Sequence, residues 1–305
     1  MKNMLTICVT TFNRWLDCTK AVHSLLSQPC NANLEIILVD DHSTESIDPL
    51  LLKKLLVSGH RYIRHDYNMG LSAARNSAIR EAKGHWFSFC DDDDKWSPGL
   101  ASRLVSSIDS APADVGMAIA LNENRKVSCG HLFEDYPRLT ELMKAGLTPP
   151  GGSQIYRTEL LRQVGGYRPE VLSGVDHDLW ISLARIDPRV AVAWGEPAIV
   201  GSSPIRERLT TVEHRRRAGI EKSLAIWRDD LFEVFGEQFY KHFVDSYRWY
   251  LDYGFFVKGI QKRKYLDAAL RAIRSPWLTI ELVKRCWDRI RGRSRCTLFP
   301  EFNED

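Results

Sequence analysis

The 305 residues carry 42 Lys/Arg against 39 Asp/Glu, a formal charge of +3, with 44% hydrophobic and 27% charged residues. These are ordinary globular values, and with no internal repeat they exclude a low-complexity or repeat protein. Seven scattered cysteines, odd in number and never in a Cys-x-x-Cys pair, argue against a disulfide framework or a zinc site and for a reducing compartment.

Taken in order, Leu5 to Thr10 reads as a buried strand running into Thr11-Phe12-Asn13-Arg14, and Leu16, Val22, Leu25 and Leu26 mark a helix over 15–26. Glu35 to Val39 is a second strand, ending in Asp40-Asp41 and followed by His42-Ser43-Thr44 and a helix over 48–57. Arg61 to His65 is a short third strand. Asn68-Met69-Gly70 then leads into a helix over 72–83, which Gly84 is expected to cap. The fourth strand, from Trp86, stops in Asp91-Asp92-Asp93-Asp94 before Lys95-Trp96. Pro98 starts a helix to about 108, and Val115 to Leu121 is a further strand. A helix over 159–164 ends at Gly165-Gly166-Tyr167, and another carries Asp176 and Asp178 in its first turn.

Strands alternating with helices predict an α/β fold with a mainly parallel sheet covered on both faces. In such sheets ligands bind outside the carboxyl ends of the strands. Here those ends carry Thr10-Thr11-Phe12, Asp40-Asp41 and Asp91 to Asp94. Four adjacent carboxylates repel one another, and a hard cation such as Mg2+, Mn2+ or Ca2+ neutralises them. A solvated acidic loop explains the run taken alone; its company at the strand ends favours the cation. Asp176 and Asp178 are favoured by the helix dipole whatever their chemistry.

Beyond about 220 the chain turns helical and aromatic, and Trp227, Phe232, Phe239, Phe243 and Tyr247 are expected to pack back onto the preceding domain. Residues 258–295 hold twelve Lys/Arg against three acids, which predicts an anionic partner. Pro276, Ile280, Val283, Trp287 and Ile290 follow a 3.5-residue spacing, flanked by Lys284, Arg285, Arg289 and Arg291. Such a basic amphipathic helix over 276–295 reads as an in-plane anchor on an anionic membrane surface, or as a helix packed on the domain or at a dimer contact. No signal pattern precedes the first strand and no uncharged apolar run reaches the roughly eighteen residues that span a bilayer. The chain is therefore expected to be cytoplasmic, and peripheral at the inner face of the cell membrane.

Five segments in order, Val9 to Arg14, Val39 to Thr44, Asn68 to Asn76, Phe89 to Trp96 and Gly165 to Tyr167 with Asp176, resemble the GT-A glycosyltransferases of family 2 over about residues 4–210. The resemblance implies a Rossmann-like GT-A domain over 1–215, followed by a helical basic region over 216–295 and a tail over 296–305. It further implies an inverting transferase using a nucleotide-sugar donor, most often a UDP-sugar, with Mn2+ or Mg2+, and a glycan or lipid-linked acceptor in surface polysaccharide synthesis. No nucleic-acid partner is expected. Matched onto this chain, Thr10 and Phe12 hold the nucleobase, Asp41 accepts a hydrogen bond from uracil, and Asn68 and Arg75 line the nucleotide pocket. Asp91 lies near the ribose and can share the metal, Asp93 is the direct metal ligand, and Asp92 and Asp94 support them. Asp176 matches the general base that takes the acceptor's proton, with Asp178 supporting it. Val175 stands where the family usually has Glu, which leaves His177 as the fallback base. Arg206, with Arg208, matches a basic loop closing over the diphosphate.

Arg248-Trp249 resembles an element of processive synthases, but Asp245 replaces its Gln, so transfer of a single sugar is expected. A sugar-phosphate nucleotidylyltransferase needs a glycine-rich loop after the first strand, and Thr11 to Arg14 has no glycine. A non-catalytic carbohydrate- or metal-binding module would release no nucleotide.

Overall fold

The computed structural model describes residues 4–29, 34–109, 111–122, 136–148, 151–201 and 213–261. The chain forms two compact units, one built from 1–139 and 149–207 and the other from 140–148 and 208–305.

The first unit is organised by a seven-stranded sheet. Its strands are β1 (Leu5–Thr11), β2 (Leu34–Asp40), β3 (Arg61–Arg64), β4 (Trp86–Asp91), β5 (Val115–Leu121), β6 (Gln154–Arg157) and β7 (Arg189–Trp194), in the order β3-β2-β1-β4-β6-β5-β7. All neighbours run parallel except β6, which is antiparallel to both β4 and β5. This is the mainly parallel sheet that the alternating pattern predicts. β1 and β5 are buried at every position and β2 at all but its first, as in a sheet covered on both faces. The helices are α1 (Trp15–Leu26), α2 (Pro49–Val57), α3 (Leu71–Glu81), α4 (Leu100–Asp109), α6 (Thr158–Gln163) and α7 (Val175–Ala184). A short α5 (Leu139–Lys144) begins at the last residue of the first unit's first stretch, and its remaining residues belong to the second unit.

Helix starts follow local chemistry. Asp48 caps α2 by accepting from Leu50 N at 2.8 Å, with Pro49 in the first turn. Gly84 differs from its expected role. α3 ends at Glu81 with Ala82 extended at φ −59°, ψ 130°, so no left-handed glycine closes it. A side chain at 84 would instead meet Met4 O and Thr6 N at 2.7 Å, and Gly84 N donates to Thr6 Oγ1 at 2.9 Å. The glycine is needed where the chain passes against β1, and a cap and a close approach look alike in sequence.

In the second unit α8 (Glu213–Gln261) is broken at Gly236, where φ 83° and ψ 173° leave the helical region. The two arms fold back on each other. Trp227 meets Phe243 edge-on with ring centroids 6.2 Å apart and lies 5.8 Å from Tyr247. Arg248 pairs with both oxygens of Glu221 at 2.8 and 2.9 Å, and Arg217 reaches Asp252. The aromatic run thus has partners inside its own hairpin. Among the described residues no helix is long and apolar enough to cross a membrane. The basic stretch expected at 276–295 lies outside the described residues.

Candidate active site

Sheet register brings the three polar strand ends together. Thr10 pairs with Val39 on one side and with Asp91 on the other, and Asp41 N donates to Thr11 O at 2.9 Å. Phe12 follows two residues after Thr10, where β1 leaves the sheet. Because strand side chains alternate, Phe89 and Asp91 share one face of β4. Arg75, from α3, lies on that face: its guanidinium carbon sits 3.8 Å above the centre of the Phe89 ring.

Arg75 is the hinge of the site. It is 1% exposed, yet donates through one terminal nitrogen to Asp91 Oδ1 at 2.8 Å and through the other to Asp176 Oδ1 at 2.7 Å. Burial alone pulls its pKa down, but Tyr167, Asp176 and Asp91 more than offset this, so it stays charged. Tyr167 closes the other side, its ring 5.1 Å from the guanidinium and edge-on to Phe89. Asn76, the next residue on α3, fixes Tyr167 by accepting from its N at 2.8 Å and donating to its O at 2.7 Å. A side chain at Gly166, where φ is +72°, would strike Asn76 Oδ1 at 2.4 Å. The separate segments ending in Arg75-Asn76 and in Gly166-Tyr167 are thus one unit.

Asp176 stands in the first turn of α7, 28% exposed, and Asp91 is 45% exposed, so both carboxylates reach solvent while the cation between them does not. Asp178 is buried beneath, accepting from Arg168 Nε at 2.7 Å and from Arg168 N at 3.3 Å, which fixes the start of α7. Burial pushes the His177 imidazolium down to about 4, so the ring is neutral at pH 7.

The aspartate run divides its tasks. Asp92 is buried, accepting from Thr11 Oγ1 at 3.0 Å and pairing with Arg14 at 2.7 Å. Its burial, more than the opposing pull of Arg14 and Thr11, raises its pKa to about 7. Asp93 pairs with the other terminal nitrogen of Arg14 at 2.8 Å. Asp94 closes the turn, its N donating to Asp91 O at 3.0 Å, and its Oδ1 accepts from Gly201 N at 2.9 Å. Lys95 and Ile199 form an antiparallel bridge, which lays the segment before Gly201 along the run. A side chain at 201 would overlap Asp93 O, 1.5 Å away. Arg206 and Arg208 lie outside the described residues.

Arg75 lies beneath the acids with both terminal nitrogens taken. Asp41 is buried, accepting from Met69 N at 2.8 Å, from Gly70 N at 2.7 Å and from His65 Nδ1 at 2.8 Å, while Asn68 Nδ2 donates to Asp41 O at 3.1 Å. Its carboxylate shapes the turn into α3. Arg14 and Tyr167 carry weight that the sequence reading did not give them. A cleft of about 620 Å3 lined by Lys83, His85, Arg157 and Arg162 opens at Trp86, the opposite end of β4 from the acids. Arg157 there donates to Val115 O and Ala113 O, and Arg162 to Ala82 O.

The model of glycosyl transferase family 2 matches residues 6–165, more than half of the chain. The chain belongs to glycosyl transferase family 2. This glycosyltransferase is 39% identical over 110 residues to a putative colanic acid biosynthesis glycosyl transferase, WcaA, of Escherichia coli, covering 35% of this chain and 39% of that protein. It is 30% identical over 114 residues to a Campylobacter jejuni GalNAc(5)-diNAcBac-PP-undecaprenol beta-1,3-glucosyltransferase, covering 36% of each. The match thus spans well under half the length of these relatives. Among solved structures, S. aureus TarS 1-349 in complex with UDP-GlcNAc superposes with a TM-score of 0.62 at 17% identity, covering 88% of this chain and 78% of that one. The mannosyltransferase PcManGT from Pyrobaculum calidifontis, in complex with GDP-Man and Mn2+, gives 0.58 at 18% identity, covering 94% and 88%. At such identities the likeness is one of fold.

Proposed function

We propose that this family 2 glycosyltransferase moves one sugar from a nucleotide-diphosphate sugar, a UDP-sugar first among them, to a hydroxyl of a glycan or lipid-linked acceptor in surface polysaccharide synthesis, inverting the anomeric carbon. The observation that carries the reading is the Asp91–Arg75–Asp176 bridge. It ties the acid that ends β4, on the donor side, to a partly exposed acid on another element. Asp176 Oδ1 is held by Arg75, which leaves Oδ2 to take the acceptor hydroxyl's proton as that oxygen attacks the anomeric carbon. Thr10, Phe12 and the turn at Asn68 that Asp41 shapes form the nucleobase end, with Asp91 toward the ribose. The relatives support the substrate classes: WcaA and the undecaprenol glucosyltransferase for the surface-glycan setting, the TarS and PcManGT complexes for the donors. Domains over 1–215 and 216–295, with the tail over 296–305, fit a donor-binding sheet followed by a region that meets the acceptor's surroundings.

The residues fit a divalent cation, Mn2+ or Mg2+. Among the described residues no three acidic or imidazole groups are gathered around one point, but such an ion held together with a diphosphate asks the protein for only one or two carboxylates. Asp93, with Asp91 two residues before it, would supply them, and the Arg14 guanidinium resting on Asp93 supports that carboxylate as a seat for positive charge. When bound, the ion neutralises charge on the departing diphosphate.

The test is release of nucleoside diphosphate from a panel of UDP-, GDP- and dTDP-sugars, with and without Mn2+. Release should occur with one donor class, require the cation and lose that requirement's response in Asp93→Ala; silence across the panel would favour a binding module. For the basic region, truncation after residue 275 should release the protein from anionic vesicles while leaving donor hydrolysis intact, and undiminished vesicle binding would refute the anchor.

A further inference from the structure

Arg14 makes two contacts at the centre of the acidic run. One terminal nitrogen lies 2.7 Å from Asp92 Oδ1 and the other 2.8 Å from Asp93 Oδ2. The residue sits at the N-cap of α1, where its own carbonyl accepts from Asp17 N and Cys18 N, so the backbone under it is fixed. Its side chain is 21% exposed, and the carboxylates it joins are largely covered. The cation therefore has a way out toward solvent that the two anions lack. Asp92 is also held by Thr11 on its other oxygen.

We infer that Arg14 is an exchangeable counter-ion: it neutralises Asp92 and Asp93 in the empty enzyme, and turns to the donor's diphosphate when a divalent cation takes Asp93. The inference rests on the proposal that Asp93 holds that cation. A guanidinium and a dication cannot both sit close to one carboxylate without repelling each other. The cation alone must therefore displace Arg14 and leave it unpaired beside a second positive charge, so its binding is weak. A diphosphate changes this. Its oxygens ligate the ion and also offer the planar fork of Arg14 a bidentate anionic partner. Metal and nucleotide then bind each better in the other's presence, and linkage makes the two enhancements equal. The device keeps buried carboxylates compensated at every stage without committing the enzyme to a metal when no donor is there.

The experiment measures Mn2+ affinity by electron paramagnetic resonance of the free ion, for the wild-type enzyme and for Arg14→Gln, each alone and with UDP or GDP. Wild type should bind Mn2+ weakly by itself and about tenfold or more tightly with one of the two nucleotides. Arg14→Gln removes the competing charge, so it should bind Mn2+ alone about tenfold more tightly than wild type and gain little more from the nucleotide. Arg14→Lys keeps a charge but loses the fork, so it should fall between the two and serves if Arg14→Gln fails to fold. If Arg14→Gln binds Mn2+ alone no better than wild type while keeping the nucleotide effect, the exchange is refuted and the donor site stands. If the wild-type enzyme shows no Mn2+ tightening with either nucleotide, the cation site itself fails, and the exchange with it.

Discussion

Asp176→Asn should lower the turnover number of sugar transfer by about 10^2 to 10^4-fold, the range set by loss of a positioned general base. Donor affinity should stay within a few-fold and the fold should persist. Asparagine keeps a carbonyl oxygen where Oδ1 accepts from Arg75 at 2.7 Å, so the bridge survives while proton acceptance is lost. Steady-state kinetics with the acceptor, set beside direct donor binding, separate the two effects. A loss smaller than about tenfold would move the base elsewhere. His177 is the neighbour to examine next: pushed down to about 4, its ring is neutral at pH 7, and no stronger a base than a carboxylate.

Arg75→Leu should damage both stability and transfer. The guanidinium is buried between Phe89 and Tyr167 and compensates two aspartates. Removing one member of such a buried ionic group costs about 3 kcal/mol, because the remaining charges lose their partner. Here Asp91 and Asp176 are partly exposed and water takes up some of that cost. Transfer should fall about 10^2-fold or more, since Asp176 is no longer held at a fixed distance from Asp91. Arg75→Lys should recover part of the melting temperature but not the rate: one ammonium lacks the fork that reaches both carboxylates. Combining Arg75→Leu with Asp176→Asn should cost little more activity than either alone, because both act on the same group. Additive losses in that double variant would show that Arg75 acts apart from the base.

How much of this was legible in the sequence follows from what each feature depends on. β1, β2, β4 and β5 were readable because parallel strands covered on both faces are unbroken apolar runs ending in turn residues. β6 spans only Gln154–Arg157, too short for a pattern, and nothing local records that it runs against its neighbours. β7 is Arg-Val-Ala-Val-Ala-Trp, and its alanines carry little strand preference; β5 and the bridge from Arg138 to Arg189 hold it instead. The acids at the strand ends announced themselves by position. Their partners did not. Arg75 lies 16 residues before Asp91 and 101 before Asp176, and its sequence neighbours say it is helical, not that it bridges two carboxylates. Arg14 stood in the first segment singled out, but an arginine beside a helix start is ordinary until the register places Thr11 and Asp92 together.

The reversed direction of β6 bears on how this enzyme can change. A strand parallel to β4 and β5 would present its last residues beside the aspartates; β6 presents its first, Gln154, with Ser153 and Gly152 just ahead of it. The chain therefore leaves the sheet at Leu121 and re-enters it at Gln154 on the same rim. Lengthening a connection whose two ends already lie side by side costs only a logarithmic increment of chain entropy, about 0.6 kcal/mol for each doubling. Insertions in that connection can thus be taken up while every strand keeps its neighbours. The scaffold need not be rebuilt for the connection to change length.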